Sequence, residues 1–128
     1  MNFSGSPVGD FHSVWGWVVV VILGVGGVWG LVLASIRREP PRYFWWMVAA
    51  GMGAATVQVA LGVWAFAVDG IQPGNQHVFY GIVIAFTMAF AYMYRSQLGR
   101  RPALAYGLLM LFMMGLAIRG IMTFGHSF

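Results

Sequence analysis

Few side chains in this sequence could ligate a metal, carry a charge inside an apolar segment, or react. The chain has no cysteine, which excludes disulfides, iron–sulfur clusters and thiolate metal sites. No serine or threonine is paired with a base and an orienting carboxylate at a recognisable spacing, so no catalytic residue is predicted. What remains is the imidazole of His12, His77 and His126. Neutral imidazole is a ligand for haem iron, copper and zinc, and this is the chemistry that the sequence favours.

Two of these histidines open the same short pattern, which is histidine, two residues, an aromatic residue and glycine. One copy runs from His12 to Gly16 and the other from His77 to Gly81. On a helix, a residue four positions further on lies one turn away on the same face, so each glycine would leave room for a flat macrocycle. The pattern predicts that His12 and His77 are the axial metal ligands of a haem b, with Gly16 and Gly81 beside it. Alternatively, both histidines are hydrated residues at the membrane–water interface, and both glycines allow close packing of the helices.

Arg119 and Gln58 are polar groups within apolar segments, where such groups are costly and usually functional. Arg119 needs an anion, which is a haem propionate, Asp10, Asp69 or a lipid phosphate reached by snorkelling. Gln58 would either anchor the cofactor or form a hydrogen bond between helices. Both residues are therefore predicted to bind the cofactor, with these alternatives open.

A copper or zinc site built from His12, His77 and His126 is a further alternative. It ranks below haem because His126 follows the last apolar segment, where an exposed side chain is the simpler interpretation.

Four apolar segments must position these residues, and they cover residues 13–36, 43–68, 76–94 and 102–124. Each is about long enough to cross the roughly 30 Å hydrocarbon layer as an α-helix. A composition that is 60% hydrophobic and 8% charged is typical of a membrane protein. The sequence therefore predicts an all-α integral membrane protein, with residues 1–128 forming one antiparallel bundle of four transmembrane helices. Small residues at packing intervals, Gly26 and Gly30 among them, predict close helix contacts.

The basic residues predict the orientation of the chain. Six of the seven arginines lie in the first and third connections, which would be cytoplasmic by the positive-inside rule: Arg37, Arg38, Arg42, Arg95, Arg100 and Arg101. Both termini and both histidines would then lie on the non-cytoplasmic side, in what we expect to be a bacterial plasma membrane. This placement accounts for the net charge of +4 without a nucleic-acid partner. No cleavage site follows the first apolar segment, so we expect that segment to be retained.

The two halves of the chain resemble two copies of one helical hairpin. From each histidine the chain crosses the membrane, meets a loop with arginine and proline, and returns. A duplication would relate the hairpins by an axis along the membrane normal, with the first and third helices diagonal to each other. His12 and His77 would then face each other at one depth. The shared pattern is short enough to arise by chance, so the duplication stays an open alternative.

A family resemblance involves the same residues. Gln58, Leu61 and Gly62 end one helix, a turn with glycine and proline follows, and His77 opens the next helix. This segment resembles the equivalent part of the heme A synthase family, in which each half is a four-helix bundle and histidines at the outer starts of two nonadjacent helices ligate haem. The resemblance implies that the whole chain is one such bundle, with His12 and His77 as the ligand pair.

The chain also departs from that family. It has about half the length of the full enzyme, lacks the cysteine pair and the acidic residue of the outer loop, and has no second histidine pair. The resemblance therefore implies haem binding and not the oxidation of a haem methyl group.

The sequence thus predicts a small haem b-binding membrane protein for electron transfer or haem handling, and an enzymatic role is disfavoured. The alternative is a non-catalytic accessory subunit of a respiratory or photosynthetic membrane complex, whose partners would be the lipid bilayer and a larger redox complex or further copies of the chain. A small transporter or channel would need polar residues along a path through the bilayer, and the sequence has almost none.

Overall fold

The computed structural model describes residues 7–125, and every regular element in this range is an α-helix. Four of the helices are long and apolar enough to cross a membrane. This confirms the predicted all-α class and the four long apolar segments. The helices are α1 (Pro7–Ser35), α2 (Arg42–Ala67), α3 (Asn75–Met93), α4 (Arg95–Leu98) and α5 (Pro102–Met122).

The first helix begins before the predicted position. Helix α1 already includes Pro7, whereas the apolar pattern placed its start at Ser13. Proline is well tolerated in a first helical turn, and Asp10 in that turn complements the positive end of the helix dipole. Both Asp10 and His12 are therefore helical.

The connection between α3 and α5 contains a short helix that the sequence analysis did not predict. Helix α4 is a single turn, and backbone hydrogen bonds join Leu98 N to Tyr94 O and Gly99 N to Arg95 O. Its residues have no proline or glycine that would interrupt a helix before Gly99. The arginine-rich connection is therefore partly helical.

Helix α1 buries one continuous stripe against α2 and α5. The buried positions recur every three or four residues, as expected for one face of a helix: Gly9, His12, Gly16, Val19, Leu23, Gly26, Gly27, Gly30 and Leu33. A Cβ atom added to Gly30 would lie 2.7 Å from Gly107 Cα and 2.8 Å from Ala103 O, so the backbones of α1 and α5 are in direct contact. Gly30 therefore has the packing role that the sequence predicted.

Aromatic side chains join α1 to α2. Trp15 Nε1 donates a hydrogen bond of 2.9 Å to Ala54 O, and the rings of Trp29 and Phe44 meet edge to face with 5.7 Å between their centres. One contact lies at the middle of α2 and the other near its start, so α1 and α2 are in contact over at least this part of their length.

Helix α3 differs from the other long helices because none of its residues is buried. It packs mainly on α5, less on α2, and has no direct packing against α1 within residues 7–125. A space is therefore left between α1 and α3, with α2 and α5 on its two sides.

Candidate functional site

A cavity of about 310 Å³ occupies this space. Its walls are apolar side chains and glycines from α1, α2, α3 and α5, and its polar lining side chains are His12, Gln58 and His77. On α1 the lining runs from His12 to Leu23, which corresponds to roughly 16 Å along the helix axis at 1.5 Å per residue. The cavity is therefore a deep apolar slot with both histidines at one end.

The imidazoles of His12 and His77 face each other across this cavity. Their ring centres are 6.0 Å apart and their planes are inclined by 78°. His12 is only 5% exposed, and His77 is half-buried. A metal ion bonded to one nitrogen of each ring at about 2 Å would set the ring centres roughly 6 Å apart, so the observed separation fits a shared metal.

The orientation of His77 is set by a backbone carbonyl. Its Nδ1 lies 2.6 Å from Gly120 O in α5. Because a carbonyl oxygen can only accept a hydrogen bond, Nδ1 is the donor in this contact, and the lone pair of the neutral ring is then at Nε2. Histidines that ligate metals commonly donate their other ring nitrogen to a carbonyl in this way. This contact favours the neutral tautomer in which Nε2 is free to ligate a metal.

The ring of His12 is seated against α2. A Cβ atom added to Gly62 would lie 3.0 Å from His12 Cε1, so a side chain at Gly62 would displace the imidazole. Sequence reasoning did not select Gly62 as a site residue. Its place one helical turn after Gln58 was the signal that could have identified it.

Gln58 and Gly16 act together between α1 and α2. Gln58 Nε2 donates a hydrogen bond of 2.8 Å to the backbone oxygen of His12, and a Cβ atom on Gly16 would lie 3.1 Å from that nitrogen. Both residues line the cavity. The structure thus gives Gln58 the interhelical hydrogen bond that the sequence left as one of two possibilities, and Gly16 makes room for the amide.

Gly81 differs from Gly16 although both end the repeated pattern. A Cβ atom added to Gly81 would meet nothing within 4 Å, and the residue lines the cavity one turn beyond His77. Close helix packing therefore does not explain this glycine. It leaves open space beside the histidine ring.

Arg119 lies outside the cavity lining and is exposed. Its Nε lies 3.4 Å from the hydroxyl oxygen of Tyr80, and its guanidinium carbon is 5.6 Å from the centre of that ring. Within residues 7–125 its polar contact is with the hydroxyl group of Tyr80. Arg119 therefore joins α5 to α3 at the level of the histidines, and the structure does not bring it to the other predicted site residues.

The three-histidine copper or zinc alternative is not tested, because His126 lies outside the described residues. From residue 7 to residue 125, no group of three or more histidine, aspartate or glutamate side chains is placed to hold a metal ion. The two histidines in this range, His12 and His77, face each other.

The fold defines an all-helical protein with four helices able to cross a membrane and a histidine-lined cavity between them. No protein-family model matches the chain, and neither a curated protein nor a solved structure matches it significantly. Function is therefore inferred from the geometry of this cavity.

Proposed function

We propose that this chain is a small integral membrane protein that binds one haem b between His12 and His77, for electron transfer or haem handling. The observation that carries the proposal is the separation of 6.0 Å between the two ring centres at the end of a deep apolar cavity. Haem held by two imidazoles supplies one-electron transfer.

The long helices cross the bilayer as an antiparallel bundle. Early residues of α1 contact late residues of α2, as His12 does with Gly62, and late residues contact early ones, as Trp29 does with Phe44. This order is expected for neighbouring helices that run in opposite directions. The arginine-rich connections lie in the cytoplasm, and the cavity lies near the non-cytoplasmic face.

The residues around the cavity have distinct roles in holding the ring. His77 is oriented by Gly120 O, and His12 is held by the contact of its ring with Gly62. Gly81 leaves space for the macrocycle, while the apolar walls exclude water and thereby influence the reduction potential. The chain corresponds to a single bundle of the heme A synthase type, with haem binding retained and without the second histidine pair.

An absorbance spectrum of the protein purified from haem-supplied membranes tests the proposal. Reduced minus oxidised spectra are expected to have the α-band of a low-spin haem b, and both His12→Ala and His77→Ala are expected to lose it. Phe79→Ala is the matched control, because Phe79 lies on the same helix as His77 and does not line the cavity. Haem b retained in both histidine variants would refute the ligand pair.

A loss of folding in the alanine variants must be separated from a loss of ligation. His77→Gly, assayed with and without free imidazole, makes this distinction, since added imidazole can occupy the vacated position and restore the iron ligand. Recovery of the low-spin spectrum on addition of imidazole is the expected result. A variant that elutes as a folded monomer and never recovers the spectrum would indicate that His77 does not ligate iron.

A second candidate function, that of an accessory subunit in a larger membrane complex, is favoured by the outer face of α1. Valines recur there every three or four residues and are 36% to 65% exposed: Val14, Val18, Val21, Val25, Val28 and Val32. A regular stripe of one β-branched residue suits packing against a further helix. Co-purification with a redox complex that is lost in Val21→Ala with Val28→Ala, and no haem in the isolated chain, would favour this candidate over the first.

A further inference from the structure

The cavity has a side opening between α2 and α3. Four of its large apolar lining residues are also substantially exposed, which indicates that the cavity reaches the surface beside them. These residues, which define the side opening, are Val63 (60% exposed), Phe66 (50%), Val78 (41%) and Ile82 (50%). All four are apolar, and they lie on two helices that pack weakly on each other.

The end of the cavity next to the histidines is covered. Ile71 and Pro73 of the connection between α2 and α3, together with Phe124, line the cavity there. Backbone hydrogen bonds hold this cover in place, from Gly125 N to Pro73 O at 2.6 Å and from Ile71 N to Ala65 O at 3.1 Å. A ligand arriving from water at this end would have to displace the connection and the end of α5 at once.

We propose that the cavity is loaded from the bilayer through the side opening, so that its ligand is a haem dissolved in the lipid phase and not one delivered through water. The inference rests on the proposed function, since it assumes membrane insertion and a haem ligand. An opening with purely apolar edges at membrane depth offers an amphiphilic ring a path without any buried polar barrier, whereas the covered end does not.

Helix α3 is the helix that we expect to move when a ring enters through the side opening. None of its residues is buried, and its contacts are concentrated on α5 through His77 with Gly120 and Tyr80 with Arg119. The edge of α3 that faces α2 can therefore separate from α2 without breaking either contact. Separation would cost the weak contact of 3.6 Å from Thr56 Oγ1 to Met88 Sδ. The ring would pass Ile82 and reach the open space at Gly81 before it meets His77.

The rate of haem loading into apoprotein in liposomes tests the inference. Haem b is supplied either from donor vesicles or from a water-soluble protein carrier, and the appearance of the low-spin spectrum is followed. Val63→Trp with Ile82→Trp narrows the side opening and is expected to slow loading from vesicles on the order of tenfold, because binding then requires a larger opening motion. Val21→Trp with Val32→Trp is the matched control, since those valines are 62% and 50% exposed on the outer face of α1 and do not line the cavity.

A reversible crosslink across the side opening distinguishes a blocked entry path from a binding site that is filled by the tryptophan side chains. The chain has no cysteine, so Val63→Cys with Ile82→Cys can be joined by a cleavable bifunctional reagent of suitable length. The joined protein is expected to load slowly, and reductive cleavage is expected to restore the rate. Loading of the joined protein at the rate of the cleaved protein would overturn the side path.

The two proposals fail in different ways. If unmodified protein never acquires the low-spin spectrum, even when it is expressed with abundant haem, the proposed function fails. If that spectrum forms but the narrowed and joined variants load as fast as the control, or if carrier-bound haem loads faster than haem from vesicles, only the inference about the path fails.

Discussion

Two imidazoles on helices that do not pack on each other meet across a cavity, and each is oriented by a different neighbour. His77 is fixed by a hydrogen bond to Gly120 O, which determines the nitrogen that carries the proton. His12 is fixed by the contact of its ring with Gly62 and by the hydrogen bond from Gln58 to its own backbone oxygen. The orientation of the two imidazoles therefore depends on a glycine, a glutamine and a backbone carbonyl group as well as on the histidines themselves.

Gly81 gives a prediction in which binding and stability change in opposite directions. Gly81→Leu fills the open space beside His77 and is expected to lower the haem bound per protein severalfold. The same change is expected to stabilise the apoprotein by about 0.5–1 kcal/mol, because glycine disfavours a helix interior. Haem content and thermal unfolding in detergent are the two measurements.

Gly115→Leu is the control for that prediction. Gly115 is exposed on α5, an added Cβ atom there also meets nothing within 4 Å, and the residue does not line the cavity. Its haem content is expected to match that of the unchanged protein. Full haem content in Gly81→Leu would show that the space beside Gly81 is not used.

Among the elements, the pair of α1 and α5 is the tightest and α3 is the loosest. The absence of side chains at Gly30 and Gly107 brings the backbones of α1 and α5 into contact, and such close approach is typical of helix pairs in membranes. Helix α3 instead lines the cavity and has no buried residue. A bound ring would therefore supply packing that α3 lacks in the protein alone.

Gly30→Ala tests the close approach of α1 and α5. The added methyl group would meet backbone atoms of Gly107 and Ala103 at 2.7 and 2.8 Å, and backbone cannot move aside as a flexible side chain can. We expect a loss of about 1–3 kcal/mol in stability, the usual cost of overpacking. Denaturation by heat or by sodium dodecyl sulfate measures it.

Gly53→Ala on α2 is the companion to that variant, because an added Cβ atom there has open space. It is expected to leave stability unchanged or slightly raised. Equal stability of the two variants would contradict a backbone contact between α1 and α5.

For the whole molecule, the distribution of arginines predicts which end of the helices faces the cytoplasm. Single cysteines at exposed connection residues, Gln72→Cys and Ser96→Cys, can be labelled from outside intact cells with a membrane-impermeant maleimide. We expect labelling of Gln72→Cys alone, since Ser96 lies between Arg95 and Arg100. Labelling of Ser96→Cys in intact cells, with none at Gln72→Cys, would invert the orientation.

The two halves of the molecule are alike in some contacts and unlike in others. The aromatic residue of each repeated pattern makes a polar contact with the next long helix, Trp15 with Ala54 of α2 and Tyr80 with Arg119 of α5. The burial of the two histidine-bearing helices differs, however, because nine residues of α1 are buried and none of α3 is. The duplication stays a prediction.

The sequence alone determined the helices, because apolar length, prolines and charged connections act locally along the chain. It also selected His12 and His77, since a repeated spacing is visible without coordinates. It did not reveal the early start of α1 or the turn of helix in α4, where local preferences are weak and neighbouring structure decides.

Only the tertiary structure decided which groups these side chains meet. The rotation of each helix about its axis turns Arg119 to Tyr80, Gln58 to the backbone of His12, and Gly62 to the imidazole. The same packing keeps α3 away from α1 and brings α2 and α3 into weak contact, and so leaves the cavity and its side opening. These relations depend on how several helices settle against one another, and no single segment of sequence contains that information.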